Sequence, residues 1–313
     1  YYFELETERG MVYYGNNSKQ LGGIGEMCFN SPSNSYQITV YNEDYKTPDW
    51  FKTGIAYQIF VDRFCNGNEN GEFLGNRTDI IKRNWGEQPF YKAEQFGGEY
   101  KANDFFGGNL KGVIKKLPYL KDLGISVIYL NPIFKAYSNH KYDTGDYETI
   151  DPMFGDEETF KELCSKAKEM GIRIILDGVF NHTGSNSRYF NKYGEYDSVG
   201  AYQSKESPYY TWFRFMDWPD VYESWWGMTT LPQIEEHSEE CRKYLLSDKD
   251  AIVKRWIKNG ASGWRLDVVD ELPGFFVKEL RENVKKADKD AVIIGEVWED
   301  ASNKSCLLYT SPS

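Results

Sequence analysis

A chain of 313 residues with a net charge of -11 has room for one large α/β domain and a smaller appendage, or for two ordinary domains. Its acidity excludes a protein that grips phosphate backbones, because such binding draws on a basic surface; nucleic acid is not an expected partner. No run reaches the roughly 18 to 20 consecutive apolar residues of a membrane span, and the opening "YYFELETERG" has neither the basic start nor the apolar run of a signal peptide.

A membrane is therefore not an expected partner either. The chain opens without methionine, as though cut inside a strand, and a bacterial cytoplasm is favoured over secretion. Cys28, Cys65, Cys164, Cys241 and Cys306 lack metal-ligand or disulfide-framework spacing and read as free thiols of a reducing compartment. Up to about Asp49, alternating segments ("YYFELE", "GMVYYG", "SYQITVYN") separated by Gly, Asn, Ser and Pro predict antiparallel strands, the end of a β-domain over 1–47. Pro48 in "KTPDW" breaks that ladder and marks a linker.

Strands then alternate with helices. "IAYQIFV" (55–61) predicts a strand; after a polar, Gly- and Asn-rich insertion, Leu110, Val113, Ile114, Leu117 and Leu120 recur at helical spacing. "SVIYLNPIF" predicts a strand, "DEETFKELCSKAKEMG" a helix with an acidic first turn, and "IRIILDGVF" a strand. Residues 183 to about 230 are long, polar and aromatic without periodicity, a length that marks a functional loop or a small subdomain. "HSEECRKYLLSDKDAIVKRWIKNG" predicts one helix, "GWRLDVV" a strand, "PGFFVKELRENVKKADKD" a helix and "AVIIGEVW" a strand. Five Val/Ile/Leu-rich strands alternating with helices call for a parallel sheet buried on both faces. An eight-stranded barrel and an open doubly wound sheet both fit, although no G-x-G-x-x-G or P-loop supports the second. "CLLYTSPS" (306–313) has the look of a sequencing-adapter translation, which would end the native sequence near Ser305 and make the chain a gene fragment.

Three strands end in polar residues that are costly to bury: Asp177, Asn181 and His182 in "LDGVFNH", Arg265 and Asp267 in "GWRLDVVDE", and Glu296 in "IIGEVW". In a parallel barrel the carboxyl ends of strands converge on one face. Arg265 and Asp267, two apart, project to the same side of a strand, with Leu266 and Val268 on the other. A salt bridge closing the barrel end is the structural alternative for this pair alone. A glycoside hydrolase needs one ionised carboxylate and one proton donor. Asp267 beside a guanidinium suits the first task, and Glu296, expected in an apolar strand with a raised pKa, suits the second.

These motifs resemble the alpha-amylase family, glycoside hydrolase family 13, and within it the neopullulanase, cyclomaltodextrinase and maltogenic amylase group. The resemblance runs from about Trp50 to Ser305. It implies a (β/α)8 TIM barrel, here truncated to about five βα units over 48–305, with a small domain inserted at about 183–230 and the remnant of an amino-terminal β-sandwich carbohydrate-binding module over 1–47. It implies Asp267 as nucleophile, Glu296 as general acid/base, Arg265 positioning Asp267, Asp177 bracing the arginine, and His182 binding sugar. "SNHKYDTGDY" resembles the segment supplying a sugar-binding histidine and a stacking tyrosine, His140 and Tyr142; Trp298, beside Glu296, is a further substrate-binding candidate. His237 reads as surface. The implied activity is retaining hydrolysis of α-glucans (cyclodextrin, pullulan, starch or maltooligosaccharides), with an oligosaccharide-specific α-glucosidase or a catalytically silent binding relative as alternatives. The group's dimerisation through its amino-terminal module points to a homodimer of the full-length protein.

The sequence also departs from the family pattern. The family's fourth region, with a third catalytic aspartate, is expected beyond the fifth strand, so this polypeptide alone is predicted to be inactive. "LPQIE" (231–235) stands where the group reads M-P-K-L-N. No cofactor is required, but the family's structural calcium loop corresponds to "NGNENGE" and "FFGGN", offering Asn66, Asn68, Glu72, the Gly107 carbonyl and Asn109. Neutral amide oxygens in place of carboxylates weaken calcium affinity, and a metal-free Asn/Gly loop is the alternative. Trp218, Tyr222, Trp225 and Trp226 fit either sugar stacking or packing within a small domain.

Overall fold

The computed structural model describes residues 1–20, 22–31, 34–38, 40 and 46–298. The tail 306–313, Cys306 and the end of the strand expected at 35–42 lie outside them. The chain divides into one compact unit of Tyr1–Lys46 with Val297–Ser313 and a second of Thr47–Glu296.

In the first unit Phe3–Thr7, Gly10–Gly15 and Glu26–Cys28 form an antiparallel meander, the first two in register from Phe3↔Tyr14 to Thr7↔Gly10. The third strand differs from expectation. Glu26–Cys28 takes that place, while Tyr36 exchanges backbone bonds with Tyr1, at 2.7 and 2.6 Å. The turn at Gly10 (φ 111°) needs a residue without Cβ.

The second unit is built on five parallel strands, β1 (Ala56–Ile59), β2 (Val127–Leu130), β3 (Arg173–Gly178), β4 (Gly263–Leu266) and β5 (Val292–Gly295). They lie side by side in chain order. A doubly wound sheet reverses its order at a switch point; a monotonic order belongs to a singly wound sheet, as a barrel requires. The longer helices are α1 (Leu110–Asp122), α2 (Glu157–Glu169), α3 (Ile252–Lys258) and α4 (Gly274–Ala287). Leu110, Val113, Leu117 and Leu120 of α1 are buried, as their spacing predicts; each full burial stabilises by roughly 1.5–3 kcal/mol. Asn109 and Asp156 start α1 and α2 by accepting from Gly112 N (2.9 Å) and Thr159 N (2.8 Å).

Three departures bear on the site. β2 stops at Leu130, before Pro132. Phe134–Ala136 then pairs antiparallel with Thr144–Ile150, a hairpin whose loop carries His140 and Tyr142. The helix expected over 237–260 is broken: Glu239–Arg242 runs into a wider turn at Lys243–Ser247, the chain leaves helical geometry at Asp248 (ψ 158°), and α3 begins at Ile252. Ser247, Asp248 and Asp250 are poor helix-interior residues, and Ala251 N donates to Asp248 O (3.0 Å) within the break. Residues 183–238 pack around their own aromatic rings, Phe190 against Phe213 (4.9 Å) and Tyr222 (4.7 Å), and Tyr189 against Trp212 (5.0 Å). Among the described residues no helix is long and apolar enough to cross a membrane.

Candidate active site

Register brings the polar residues together. Asp177 of β3 lies beside Arg265 of β4, and Arg265 beside Ile294 of β5, so Glu296 emerges just past the next strand's end. Arg265 Nη1 donates to both oxygens of Asp177 (2.8 and 2.9 Å) and to Asp267 Oδ1 (2.9 Å); Nη2 lies 2.7 Å from Glu296 Oε1. One guanidinium thus gathers three carboxylates from three strands. Gly295 permits the approach, since a Cβ there would lie 2.5 Å from Val269 Cγ1.

β4 ends one residue before Asp267, and the next residue, Val268, is left-handed at φ 42°. A β-branched residue rarely adopts that conformation, and the strain is on the order of 1–3 kcal/mol. It turns Val268 N to donate to Glu296 Oε2 at 3.1 Å. Glu296 is therefore not in the apolar setting the sequence suggested. Its two oxygens face Arg265 and a backbone amide, and its side chain is 30% exposed.

Arg265 does not by itself hold Asp267 ionised, as the sequence reading expected. Burial, then the charge of Asp177, push Asp267 up to about 7 against the opposing pull of Arg265, with Glu296 adding to the rise. Asp177, whose side chain is fully buried, is pushed up to about 6 by burial, which Arg265 and Tyr129 only partly offset. The main reason is burial in a partly dry site, which the single guanidinium, shared among Asp177, Asp267 and Glu296, offsets only in part.

Two residues that sequence reasoning missed complete the centre. Tyr129 OH donates to Asp177 Oδ2, as does Tyr142 OH at 3.0 Å, and Asn131 Nδ2 donates to Tyr142 OH at 3.2 Å. Tyr129 and Asn131 are two apart across the end of β2, so the two-residue period that singled out Arg265 and Asp267 also marks this pair. His140 joins the cluster through Tyr142, whose backbone N donates to His140 Nδ1 at 3.1 Å; burial pushes the His140 pKa down. Nδ1 is thus an acceptor, leaving Nε2 to carry the proton of the neutral ring.

His182 is 1% exposed, and burial pushes it down to about 4. Its ring stacks on Trp225 (5.2 Å, 25°), and its Nε2 has no partner among the described residues. Of the aromatic candidates, Tyr222 is buried in packing and Trp218 donates to Ala201 O (3.0 Å), whereas Trp226 is exposed. Trp298 is exposed and grouped with the first unit, and His237 is exposed as expected.

The residues of the suggested calcium loop do come together. Asn66 Oδ1 accepts from Asn68 N (2.8 Å) and Asn109 Nδ2 (3.3 Å), and a Cβ on Gly107 would lie 3.3 Å from Asn66 Nδ2. Their oxygens are largely engaged. Asn109 Oδ1 caps α1 and also accepts from Gly67 N (3.1 Å), while the Glu72 carbonyl accepts from Asn66 and Asn68 amides at 3.1 and 2.6 Å. Among the described residues no group of three or more His, Cys, Asp or Glu could hold a metal ion.

Comparison with known proteins adds to this geometry. The family model described as Alpha amylase, catalytic domain, matches residues 58–313. An amylopullulanase of Thermoanaerobacterium saccharolyticum is 42% identical over 330 residues, covering 96% of this chain and 26% of that protein. A cyclomaltodextrinase of Thermoanaerobacter pseudethanolicus is 41% identical over 266 residues, covering 82% of this chain and 41% of its own length. The solved type III pullulan hydrolase of Thermococcus kodakarensis superposes with a TM-score of 0.70 at 35% identity, over 92% of this chain and 50% of that one. The chain thus spans half or less of each of these relatives.

Proposed function

Because the chain belongs to the alpha-amylase family, we propose that the full-length protein hydrolyses α-1,4 bonds of pullulan, cyclodextrins, starch or maltooligosaccharides with retention of configuration, transferring glycosyl groups to sugar acceptors as a side reaction. The observation that carries this reading is the single guanidinium of Arg265 binding Asp177, Asp267 and Glu296 at once.

In the proposed reaction an Asp267 oxygen bonds to the anomeric carbon as the glycosidic C–O bond breaks, and the Glu296 proton passes to the departing oxygen. Glu296, now a carboxylate, takes a proton from water, whose oxygen then displaces Asp267 from the same carbon. Two carboxyls on adjacent nitrogens of one arginine favour the short spacing of a retaining pair, roughly 5–5.5 Å, over the roughly 6.5–9.5 Å of an inverting one. Asp177, held by Tyr129 and Tyr142, braces Arg265; His140, Tyr142 and His182 line the sugar path. NMR of the full-length protein acting on maltoheptaose or pullulan is expected to show the α-anomer as first product. Release of the β-anomer, or no hydrolysis of any α-glucan, overturns the reading.

The same family relation supports a finer domain reading: 1–47 as the end of a carbohydrate-binding module, and 183–230 as a small domain inserted after β3. It also supports a cytoplasmic enzyme, in keeping with the thiols of Cys65, Cys164 and Cys241, which form no disulfide. For calcium we propose a weak site on Asn66, Asn68, Glu72, the Gly107 carbonyl and Asn109. Glu72 is the one carboxylate in this set, and the oxygens of Asn66 and Asn109 already accept hydrogen bonds, so affinity falls at the weak end, roughly 10⁻⁴–10⁻³ M. Chelator is expected to leave the unfolding temperature of this chain unchanged, and millimolar calcium to raise it by about 2–4 °C, on the scale of about 1 kcal/mol of ligand linkage. A fall of more than about 10 °C in chelator would show a tight site instead.

A further inference from the structure

Glu271 closes the "GWRLDVVDE" motif four residues after Asp267, yet it touches none of Arg265, Asp177 or Glu296 in the contacts described above. Its carboxylate instead accepts from two indoles at once, Trp225 Nε1 on Oε2 at 2.8 Å and Trp226 Nε1 on Oε1 at 3.0 Å. The two indoles stack on each other (5.3 Å, 26°), and Trp225 stacks on His182 (5.2 Å, 25°). Three rings therefore form a ladder that climbs from a histidine 1% exposed to a tryptophan 65% exposed.

The chain is shaped to hold that ladder. Trp225 N donates to Leu231 O (2.9 Å) and Met228 N to Trp225 O (2.9 Å), closing a tight turn with Trp226 at its tip in a left-handed conformation, φ 50°. A bulky residue in that region is strained by on the order of 1–3 kcal/mol, and such outliers persist where the surroundings over-determine them. Core packing does not account for an indole that is mostly in solvent. Bidentate acceptance by Glu271 accounts for its fixed orientation, and flat apolar rings with a polar edge match the faces of pyranose sugars.

We propose that Glu271 is a positioning residue which pins Trp225 and Trp226 as a stacking ladder for α-glucan chains reaching beyond the cleaved bond, and thereby sets a preference for long over short substrates. This rests on the glucan-hydrolase reading of the same site. The ladder binds units distant from the broken bond, so its contribution belongs in KM for long substrates rather than in the chemical step.

The test uses the full-length protein with Glu271→Ala, Glu271→Gln, Trp226→Ala and the Glu271→Ala/Trp226→Ala double variant, each assayed on maltoheptaose and p-nitrophenyl α-maltoside. The ratio of kcat/KM for maltoheptaose to that for the aryl maltoside is expected to fall about five- to tenfold in Glu271→Ala and Trp226→Ala, through KM, and by less than the product of the two in the double variant, because Glu271 acts in part through Trp226. Glu271→Gln keeps one acceptor and is expected to fall in between; it also serves if the alanine variant fails to fold. Equal losses on both substrates, or additive losses in the double variant, overturn the proposal. If the wild type hydrolyses no α-glucan, the functional reading fails separately. Titration of indole fluorescence with maltoheptaose then decides: quenching abolished by Trp226→Ala and weakened by Glu271→Ala upholds the ladder, and no response in the wild type removes it.

Discussion

Replacing Arg265 by methionine is expected to destabilise this chain by about 3–5 kcal/mol at pH 8, the largest loss from any single side chain in the site. The arginine is 12% exposed and the Asp177 and Asp267 side chains 0% and 9%, so removing the cation strands two carboxylates where water cannot replace it. The loss should shrink as pH falls. Asp177 and Asp267 already have raised folded-state pKa values, about 6 and about 7. Without Arg265, which lowers both, they rise further. Each protonates more readily in the folded than in the unfolded chain, so acid offsets the missing charge. Urea unfolding at pH 4.5 and pH 8 checks this. A loss below about 1 kcal/mol at pH 8, or one equal at both pH values, would mean that the cluster is solvated enough to do without its cation. Arg265→Lys should recover only part of the loss, because an ammonium cannot engage three carboxylates through two separated nitrogens.

That cluster was largely legible in the sequence, and for one reason. Strand side chains alternate, so Arg265 and Asp267 could be aimed at one face from spacing alone, and the ends of neighbouring strands supplied Asp177 and Glu296. The same alternation in "VIYLN" marks Tyr129 and Asn131, which looked like ordinary strand content until register placed them beside Asp177. What spacing could not reveal was charge sharing. Local sequence shows one arginine two residues from one aspartate; only the fold shows that Asp267 is buried, and that Asp177 and Glu296 share its guanidinium, which together leave Asp267 raised.

Other details were hidden because they are tertiary. Nothing in "LDVVD" announces that Val268 turns left-handed, a conformation its branched side chain resists and which the bond from its N–H to Glu296 helps to maintain. The break in the helix expected over 237–260 leaves the apolar spacing intact, since Leu245 and Leu246 are seven residues from Ile252 and Val253 and all four are buried. Likewise "YESWWGM" offered aromatic rings without saying which would pack. Tyr222 went to the interior and Trp226 to the surface, a division set by Phe190 and Glu271, both remote in sequence.

Asp267→Asn is expected to lower turnover of the full-length enzyme by roughly 10⁴-fold or more while leaving the fold intact, the scale of loss for a missing covalent nucleophile. Glu296→Gln should lose activity comparably on maltoheptaose but recover much of it on an aryl maltoside, whose leaving group departs without a proton; no such rescue is expected for Asp267→Asn. Stability should move the other way. In the wild type Asp267 has a folded pKa raised from 3.8 to about 7, so the folded state holds its proton more tightly than the unfolded state does, and ionising it lowers stability as pH rises across that interval. The asparagine cannot ionise. The unfolding midpoint of Asp267→Asn should therefore pull ahead of the wild type between about pH 4 and pH 7, with the difference constant above. A widening gap on acidification would mean that Arg265 stabilises the Asp267 anion after all, and an active Asp267→Asn enzyme would move the nucleophile elsewhere. Observed together, lost turnover and gained stability at neutral pH would identify Asp267 as a charge kept in a costly place for its chemistry rather than for the fold.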